Sequence, residues 1–498
     1  MSTATILTPA WNNPGQPFRH SWEGLGNIDQ FRWFVRTDCQ EHIALAQEEL
    51  GLRHVRAVGM FDDELRTWSV PPTAWKDKEK THSANWQIVD ECIRRLLDRG
   101  VNPMFTTSFC PSQMASGPTT VFTTKARTSP PKDDASWTAL VSDGVRHAIR
   151  MWGIDVVRSW YFEVWNEPNL GGKDVSSGFF GGDQKDFFHL WDLTWRAIKS
   201  VDSQLRVGGP SAARAEWVAE LLEHSRKAGT EPDYIITHCY NNDSESQPLS
   251  PFAGPQEDRI NKSPNFFNGV VRGTRSLLDS LGFRGEVHWN EWGRSWFPAD
   301  PPRETALEAA FAVRSMAAVS QDATYFAYWC LSDIYDQVGY GANAFHGNYG
   351  MLNLNGLRKP AWQAHRLLRR LGTTRIPVTG GDTFTDAIAT TDGGRKILAY
   401  SHPRSFEDAV APGTVSIRLD SEPKHPRLYR IDSRDNNIIT AWQNLGSPAY
   451  LDRNTLADLK NANGLQTSPG AVAITRDATG WLATFALENP GVALLEVD

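Results

Sequence analysis

The feature that most restricts this chain is an alternation of short β-branched or aromatic runs with amphipathic helical segments, kept up from about Phe18 to Gly372. That alternation is what βα units around a parallel sheet produce. Eight runs read as strands: Phe18 to Leu25, His54 to Met60, Asn102 to Phe109, Ser159 to Trp165, Arg206 to Gly209, Tyr234 to His238, Glu286 to Trp289 and Ala323 to Trp329. Eight units predict closure into a (β/α)8 TIM barrel rather than an open sheet, and about 250 residues suffice for one.

The intervening segments carry the helical period. After the second strand, Trp86, Val89, Ile93, Leu96 and Leu97 form one apolar face, and Gly100 ends it. Between Phe187 and Ile198, the residues Trp191, Trp195 and Ile198 share a side, which reads as barrel packing. Long loops follow several strands, at Cys110 to Ser136, Tyr240 to Asn265 and Ser332 to Asn355. Such loops are the ones that build a pocket at the C-terminal face of a barrel.

Beyond about Arg375 the texture changes to alternating strands, Lys396 to Tyr400, Thr414 to Leu419 and Val492 to Val497, punctuated by DGG, PG and NP turns. This predicts a C-terminal β-sandwich. The expected partition is a catalytic barrel over 13–374 and a sandwich over 375–498, with residues 1–12 a segment able to pack on the sandwich.

A net charge of -7 provides no basic surface for nucleic acid or anionic lipid. The first 20 residues lack the charged and apolar blocks of a secretory signal, and no apolar run approaches the about 18 residues of a membrane span. A cytoplasmic protein is expected. Cys39, Cys92, Cys110, Cys239 and Cys330 are scattered and lack metal-ligand spacing, so they read as reduced core thiols. The 20 tryptophans are many for this length, and indole faces stack on sugar rings, although most tryptophans serve packing.

Two acidic residues stand out. In YFEVWNEPNL, residues 161–170, an apolar strand runs into Asn166-Glu167-Pro168, and Pro168 cannot continue a strand ladder. Glu167 therefore falls at the C-terminal end of the fourth strand. In GEVHWNEW, residues 285–292, Glu291 ends the seventh. Two carboxyls are the requirement for cleaving a glycosidic bond: one protonates the leaving oxygen, and the other attacks or stabilises the anomeric carbon. Glu163 and Glu286 lie within or before their strands and read as partners in buried salt bridges.

Trp-Asn-Glu-Pro after an apolar strand resembles the acid/base motif of the clan A glycoside hydrolases. The likeness narrows to glycoside hydrolase family 39, which holds β-xylosidases and α-L-iduronidases, through a collinear set. The set is WYFEVWNEPNL at 160–170, RVGGP at 206–210, DYIITHCY at 233–240, AYWCLSDIY at 327–335, FHGNYGM at 345–351, KPAW at 359–362 and AWQNLGSPAYL at 441–451. The resemblance implies that Asn166 binds the hydroxyl beside the anomeric carbon, and that His238 and Tyr240 lie beneath the sugar with Tyr240 touching Glu291. It also implies that Trp329 floors the site and that Phe109 flanks it. Arg56 should hold the nucleophile as an anion; pairing with Glu163 instead is the rival reading. Two departures from the xylosidase pattern fall at Ala57-Val58-Gly59 and at Asp336-Gln337, where the sugar is recognised.

The expected activity is retaining, exo-acting hydrolysis of β-linked sugars, with xylose released from the non-reducing ends of small oligosaccharides or from aryl glycosides. Glu167 starts protonated, its pKa raised toward roughly 6, and Glu291 starts ionised. No HExxH, cysteine cluster or phosphate-binding glycine loop is present, so neither metal nor organic cofactor is expected. No nucleic-acid or membrane partner is expected either, and the oligomeric state is left open. The alternatives are the same chemistry on an iduronide, an arabinoside or an acidic exopolysaccharide, and a sugar-binding protein without catalysis.

Overall fold

The computed structural model describes residues 5–74, 76, 82–173, 175–246, 250–260 and 263–497. Eight parallel strands are hydrogen-bonded in chain order: β1 (Leu25–Gln30), β2 (His54–Val58), β3 (Asn102–Thr106), β4 (Tyr161–Glu163), β5 (Arg206–Ala212), β6 (Tyr234–Tyr240), β7 (Glu286–Gly293) and β8 (Tyr325–Tyr328). The ring closes between β8 and β1, where Phe326 N donates to Ser21 O at 2.7 Å and Leu331 N to Asn27 O at 2.9 Å. This is the (β/α)8 barrel that the alternation predicts.

The first strand lies further along the chain than expected. Phe18 to Ser21 and Trp22 instead run as loop below the barrel, and β1 is LGNIDQ, whose Asn27, Asp29 and Gln30 disguise it as polar. The amide nitrogen of Asn27 is satisfied inside the barrel. The Asn27 amide donates to the carbonyls of Asn290 at 2.6 Å, Ala327 at 3.2 Å and Tyr328 at 3.1 Å, and so fastens β1 to β7 and β8.

Eight helices ring the strands, α1 (Thr37–Leu50), α2 (Gln87–Leu97), α3 (Asp134–Trp152), α4 (Gln184–Val201), α5 (Val218–Ala228), α6 (Phe266–Ser280), α7 (Ala306–Val319) and α8 (Pro360–Arg370). Asp183 starts α4 with a capping box against Asp186. The buried face of α4 then sets Trp191 on β5, where a Cβ on Gly209 would come within 2.6 Å of the indole. Gly208 makes the same room for Tyr234, at 2.4 Å. The paired glycines of RVGGP are therefore packing positions, since extra atoms in a filled core cost about 1–3 kcal/mol.

Most of the remaining strands form two sheets packed face to face. One joins Gln16–Pro17, Thr374–Ile376, β9 (Thr385–Thr390), β10 (Arg395–Ser401), β14 (Gly491–Val497) and β12 (Arg427–Ile431). The other joins Val378–Thr379, Thr5–Pro9, β11 (Thr414–Leu419), β13 (Gly480–Ala486) and Ala473–Asp477. Ile397 and Leu495 from the first sheet meet Leu7, Ile417 and Phe485 from the second in one core. The segment before the barrel thus adds a strand here, with Thr5–Leu7 paired parallel to Val415–Ile417; residues 1–4 lie outside the described residues. Helix α7 is buried almost all round because the sandwich covers its outer face, and Arg314 donates from Nε to Thr383 O at 2.9 Å.

All five cysteines are free and buried. Among the described residues no helix is long and apolar enough to cross a membrane.

Candidate active site

The chain leaves β4 under strain. Trp165 and Glu167 adopt φ of 67° and 46°, the left-handed region that costs a non-glycine residue roughly 1–2 kcal/mol. Tertiary bonds hold them there: Glu167 N donates to Ser211 O at 2.8 Å, and Trp165 Nε1 to Phe179 O at 2.7 Å. Across the barrel a register shift between β6 and β7 sets His238 opposite Glu291. A bulge of this kind re-aims side chains at a strand end.

Glu167 and Glu291 consequently converge over the barrel axis. One carboxyl oxygen of each, together with a ring nitrogen of His238, lies within 4.8 Å of the others. Both carboxyls are almost wholly buried, at 7% and 6% exposure. They open into a cavity of about 510 Å³ that Asn166, His238, Tyr240 and Trp329 also line.

Arg56 organises this centre from below. Its Nε donates to both oxygens of Glu163 (3.0 and 2.8 Å), Nη1 to Glu291 Oε1 at 2.6 Å, and Nη2 to Asn166 Oδ1 at 2.5 Å. Arg56 thus contacts Glu291 and Glu163 together, because a planar guanidinium serves three acceptors at once. Glu163 also accepts from Thr106 at 2.9 Å, Ser211 at 2.5 Å and Asn290 at 3.0 Å. Burial raises its pKa, but Arg56 and Ser211 outweigh that and hold it below the ordinary value. Glu286, the other acid set aside in sequence, bonds His288 and the Tyr161 hydroxyl, both at 2.8 Å, at the opposite end of β7.

The two facing carboxyls differ in what touches them. Burial raises Glu167 to about 7, only weakly opposed by Arg56 and Arg214, and no cation bonds it directly. Burial raises Glu291 as well, but it accepts from Arg56 at 2.6 Å and from the Tyr240 hydroxyl at 2.9 Å. In such a coupled pair the first proton resides on the carboxyl without the cation, which is Glu167. His238, fully buried, is pushed down to about 4 and is neutral at pH 7. Glu167, His238 and Glu291 are also spaced to hold a metal ion. The Arg56 guanidinium already supplies positive charge to that oxygen of Glu291, which disfavours a cation there.

Two expected site residues sit elsewhere. Phe109 has no exposed surface; its ring packs edge-on against Trp165 at 5.5 Å and Phe122 at 5.9 Å, and Phe122 is the one that lines the cavity. Phe109 therefore supports the wall from behind. Asp336 turns to Arg32, with both oxygens bonded at 2.6–2.7 Å, and the neighbouring Gln337 faces the cavity instead. Within AYWCLSDIY and FHGNYGM, Tyr335 and Tyr349 line the site although only the strings drew notice. Leu170 closes the quoted string YFEVWNEPNL without having been singled out, and Phe122, Phe179 and Trp296 lie in loops with no periodic pattern. In the loop expected from Tyr240 to Asn265, residues 247–249 and 261–262 lie outside the described residues.

A parallel barrel with a proline-stopped acid at strand four and a second acid at strand seven defines the glycoside hydrolase class. The chain belongs to glycosyl hydrolases family 39, whose model matches residues 7–477. It is 30% identical over 444 residues to a β-xylosidase of Caldicellulosiruptor saccharolyticus, covering 87% of this chain and 86% of that one. To a β-xylosidase of Geobacillus stearothermophilus it is 28% identical over 495 residues, covering 98% and 94%. The solved structure of a monomeric β-xylosidase from Caulobacter crescentus superposes with a TM-score of 0.84 at 27% identity, covering 99% of each chain.

Proposed function

We propose that this enzyme is a retaining, exo-acting β-D-xylosidase in which Glu167 is the general acid/base and Glu291 the nucleophile. The approach of one oxygen of each carboxyl to within 4.8 Å of the other carries the reading. Direct attack requires a pair about 5–5.5 Å apart, whereas an inverting enzyme needs roughly 6.5–9.5 Å to seat a water. Glu167, protonated, donates to the departing oxygen while Glu291 attacks the anomeric carbon and forms a glycosyl-enzyme ester. Glu167, now a carboxylate, takes a proton from water, which attacks the same carbon and releases Glu291.

The sugar follows from the relatives, two of which are named β-xylosidases at 28–30% identity over most of both chains. An acidic sugar would want an unpaired cation. Among the described lining residues Arg214 is the one cation, and it is paired with Glu216 at 2.9 Å. Proton NMR during the first minutes of p-nitrophenyl β-xyloside hydrolysis tests the mechanism, since β-xylose must appear before mutarotation. Initial release of α-xylose refutes it.

A further inference from the structure

The cavity has two chemically different halves. Around Glu291 it is polar, with Asn166, His238 and Tyr240 presenting hydrogen-bonding groups. Its apolar lining is Phe122, Leu170, Phe179, Trp296 and Val338, of which Leu170, Phe179 and Phe122 are joined to Glu167 through the turn that follows it. Leu170 sits on the turn that follows Glu167, its N–H bonded to the Glu167 carbonyl at 2.9 Å. Phe122 and Phe179 meet edge to face at 5.6 Å and extend the wall outward. Val338 and Trp296, 61% and 48% exposed, stand at the mouth.

The polar side chains that reach this half each hold a partner within the protein. The Gln337 amide donates to Asp29 at 2.6 Å and accepts from the Tyr335 hydroxyl at 2.9 Å. Arg214 is held by Glu216, and the carboxylate of Asp243 accepts from Tyr240 N at 2.9 Å. A second sugar could stack on Phe122 or Phe179, but its hydroxyls would exchange water for apolar surface. Each buried hydroxyl without a partner gives up its hydrogen bonds to water without compensation. An apolar ring or chain gains from the same surface.

We infer that the leaving-group side of this site is built for an apolar, ring-bearing alcohol, so that the preferred substrate is an alkyl or aryl glycoside rather than a chain of sugars. This rests on the reading of Glu167 as the acid, which makes Leu170, Phe122 and Phe179 neighbours of the departing oxygen. Apolar contact there is worth nothing to the sugar that remains on the enzyme and everything to the alcohol that leaves.

The test compares kcat/KM of the full chain on methyl β-xyloside, benzyl β-xyloside and xylobiose. Methanol and benzyl alcohol are close in acidity, so the benzyl-to-methyl ratio isolates ring binding. Xylobiose expels a more acidic hydroxyl and is chemically favoured. The expected ratio is at least about tenfold, with benzyl also above xylobiose. Leu170→Asn and Trp296→Ala, made separately so that one well-folded variant suffices, should lower that ratio by threefold or more. A ratio below about two, xylobiose above benzyl, or a ratio unmoved in both variants overturns the inference. Turnover of none of the three refutes the xylosidase reading instead. The same aglycone ratio is then read on whichever sugar an aryl glycoside panel selects, and the same thresholds apply.

Discussion

Nδ1 of His238 lies 3.0 Å from the Glu167 carboxyl, while Nε2 of the same ring faces the Ser211 hydroxyl at 3.3 Å. Ser211 donates its one proton to Glu163, which is an anion and can only accept. Nε2 must then carry the ring hydrogen of this neutral imidazole, and Nδ1 presents a lone pair. The Glu167 carboxyl can bond that lone pair only when it is protonated. Glu163, through Ser211 and His238, thus holds the proton on the carboxyl proposed as the general acid.

Loss of His238 should therefore destabilise the protonated form of Glu167. In His238→Ala the alkaline limb of the kcat/KM profile, set near pH 7 by Glu167, is expected to move down by roughly one unit. His238→Asn, which still offers an acceptor oxygen, should move it less. A charged imidazolium donating to a carboxylate predicts the opposite sign, so an upward shift refutes the tautomer.

Glu167 also links stability to pH. Its folded pKa of about 7 lies above the unfolded 4.5, so the native state holds the proton more tightly. The stability this gives is complete below pH 4.5 and is lost as pH rises through 7. Glu167→Gln keeps the donor to His238 without a charge to bury. Its Tm should match the wild type near pH 4.5 and exceed it at pH 8, where its unfolding free energy should be larger by on the order of 3 kcal/mol. Equal Tm differences at both pH values would falsify the assignment.

Arg56→Lys retains the charge but cannot bond Glu163, Glu291 and Asn166 together. kcat/KM is expected to fall on the order of 10²-fold, and its acid limb to move to higher pH as Glu291 loses the donor at 2.6 Å. Glu163, held below its unfolded value, stabilises the fold above pH 4.5 and ceases to do so as pH falls. The Tm deficit of the variant should accordingly narrow below that pH. An unmoved acid limb counts against the role of Arg56 at Glu291.

Pentosides should outrun hexosides. Trp329, Tyr335 and Tyr349 are buried together, with Tyr335 and Tyr349 centroids 4.9 Å apart, so an added hydroxymethyl group has to displace packed rings. Such overpacking costs about 1–3 kcal/mol, or roughly 5- to 150-fold in kcat/KM between p-nitrophenyl β-xyloside and β-glucoside. Parity between the two sugars argues against a closed pentose pocket.

Local chemistry was enough to make much of this legible. The helix and strand periods are local, so the alternation of eight units could be read directly. So could the placing of Glu167 and Glu291 near the C-terminal ends of the fourth and seventh strands, although β4 stops at Glu163 and β7 runs on to Gly293. The sandwich strand Thr414–Leu419 was legible for the same reason, and its range matches residue for residue. β1 was not, because the barrel satisfies Asn27 with carbonyls 263–301 residues away, and a polar strand has no local signature. Arg56 likewise reaches Glu163, Asn166 and Glu291 across 107, 110 and 235 residues. Only ring closure makes them neighbours and lets one guanidinium bond all three. The same closure turned Asp336 to Arg32 rather than to the cavity, and brought Phe122 and Phe179 from separate loops into one wall beside the acid. Residue types determine which chemistry the chain can hold, and the tertiary fold decides which groups share a proton, a charge or a surface.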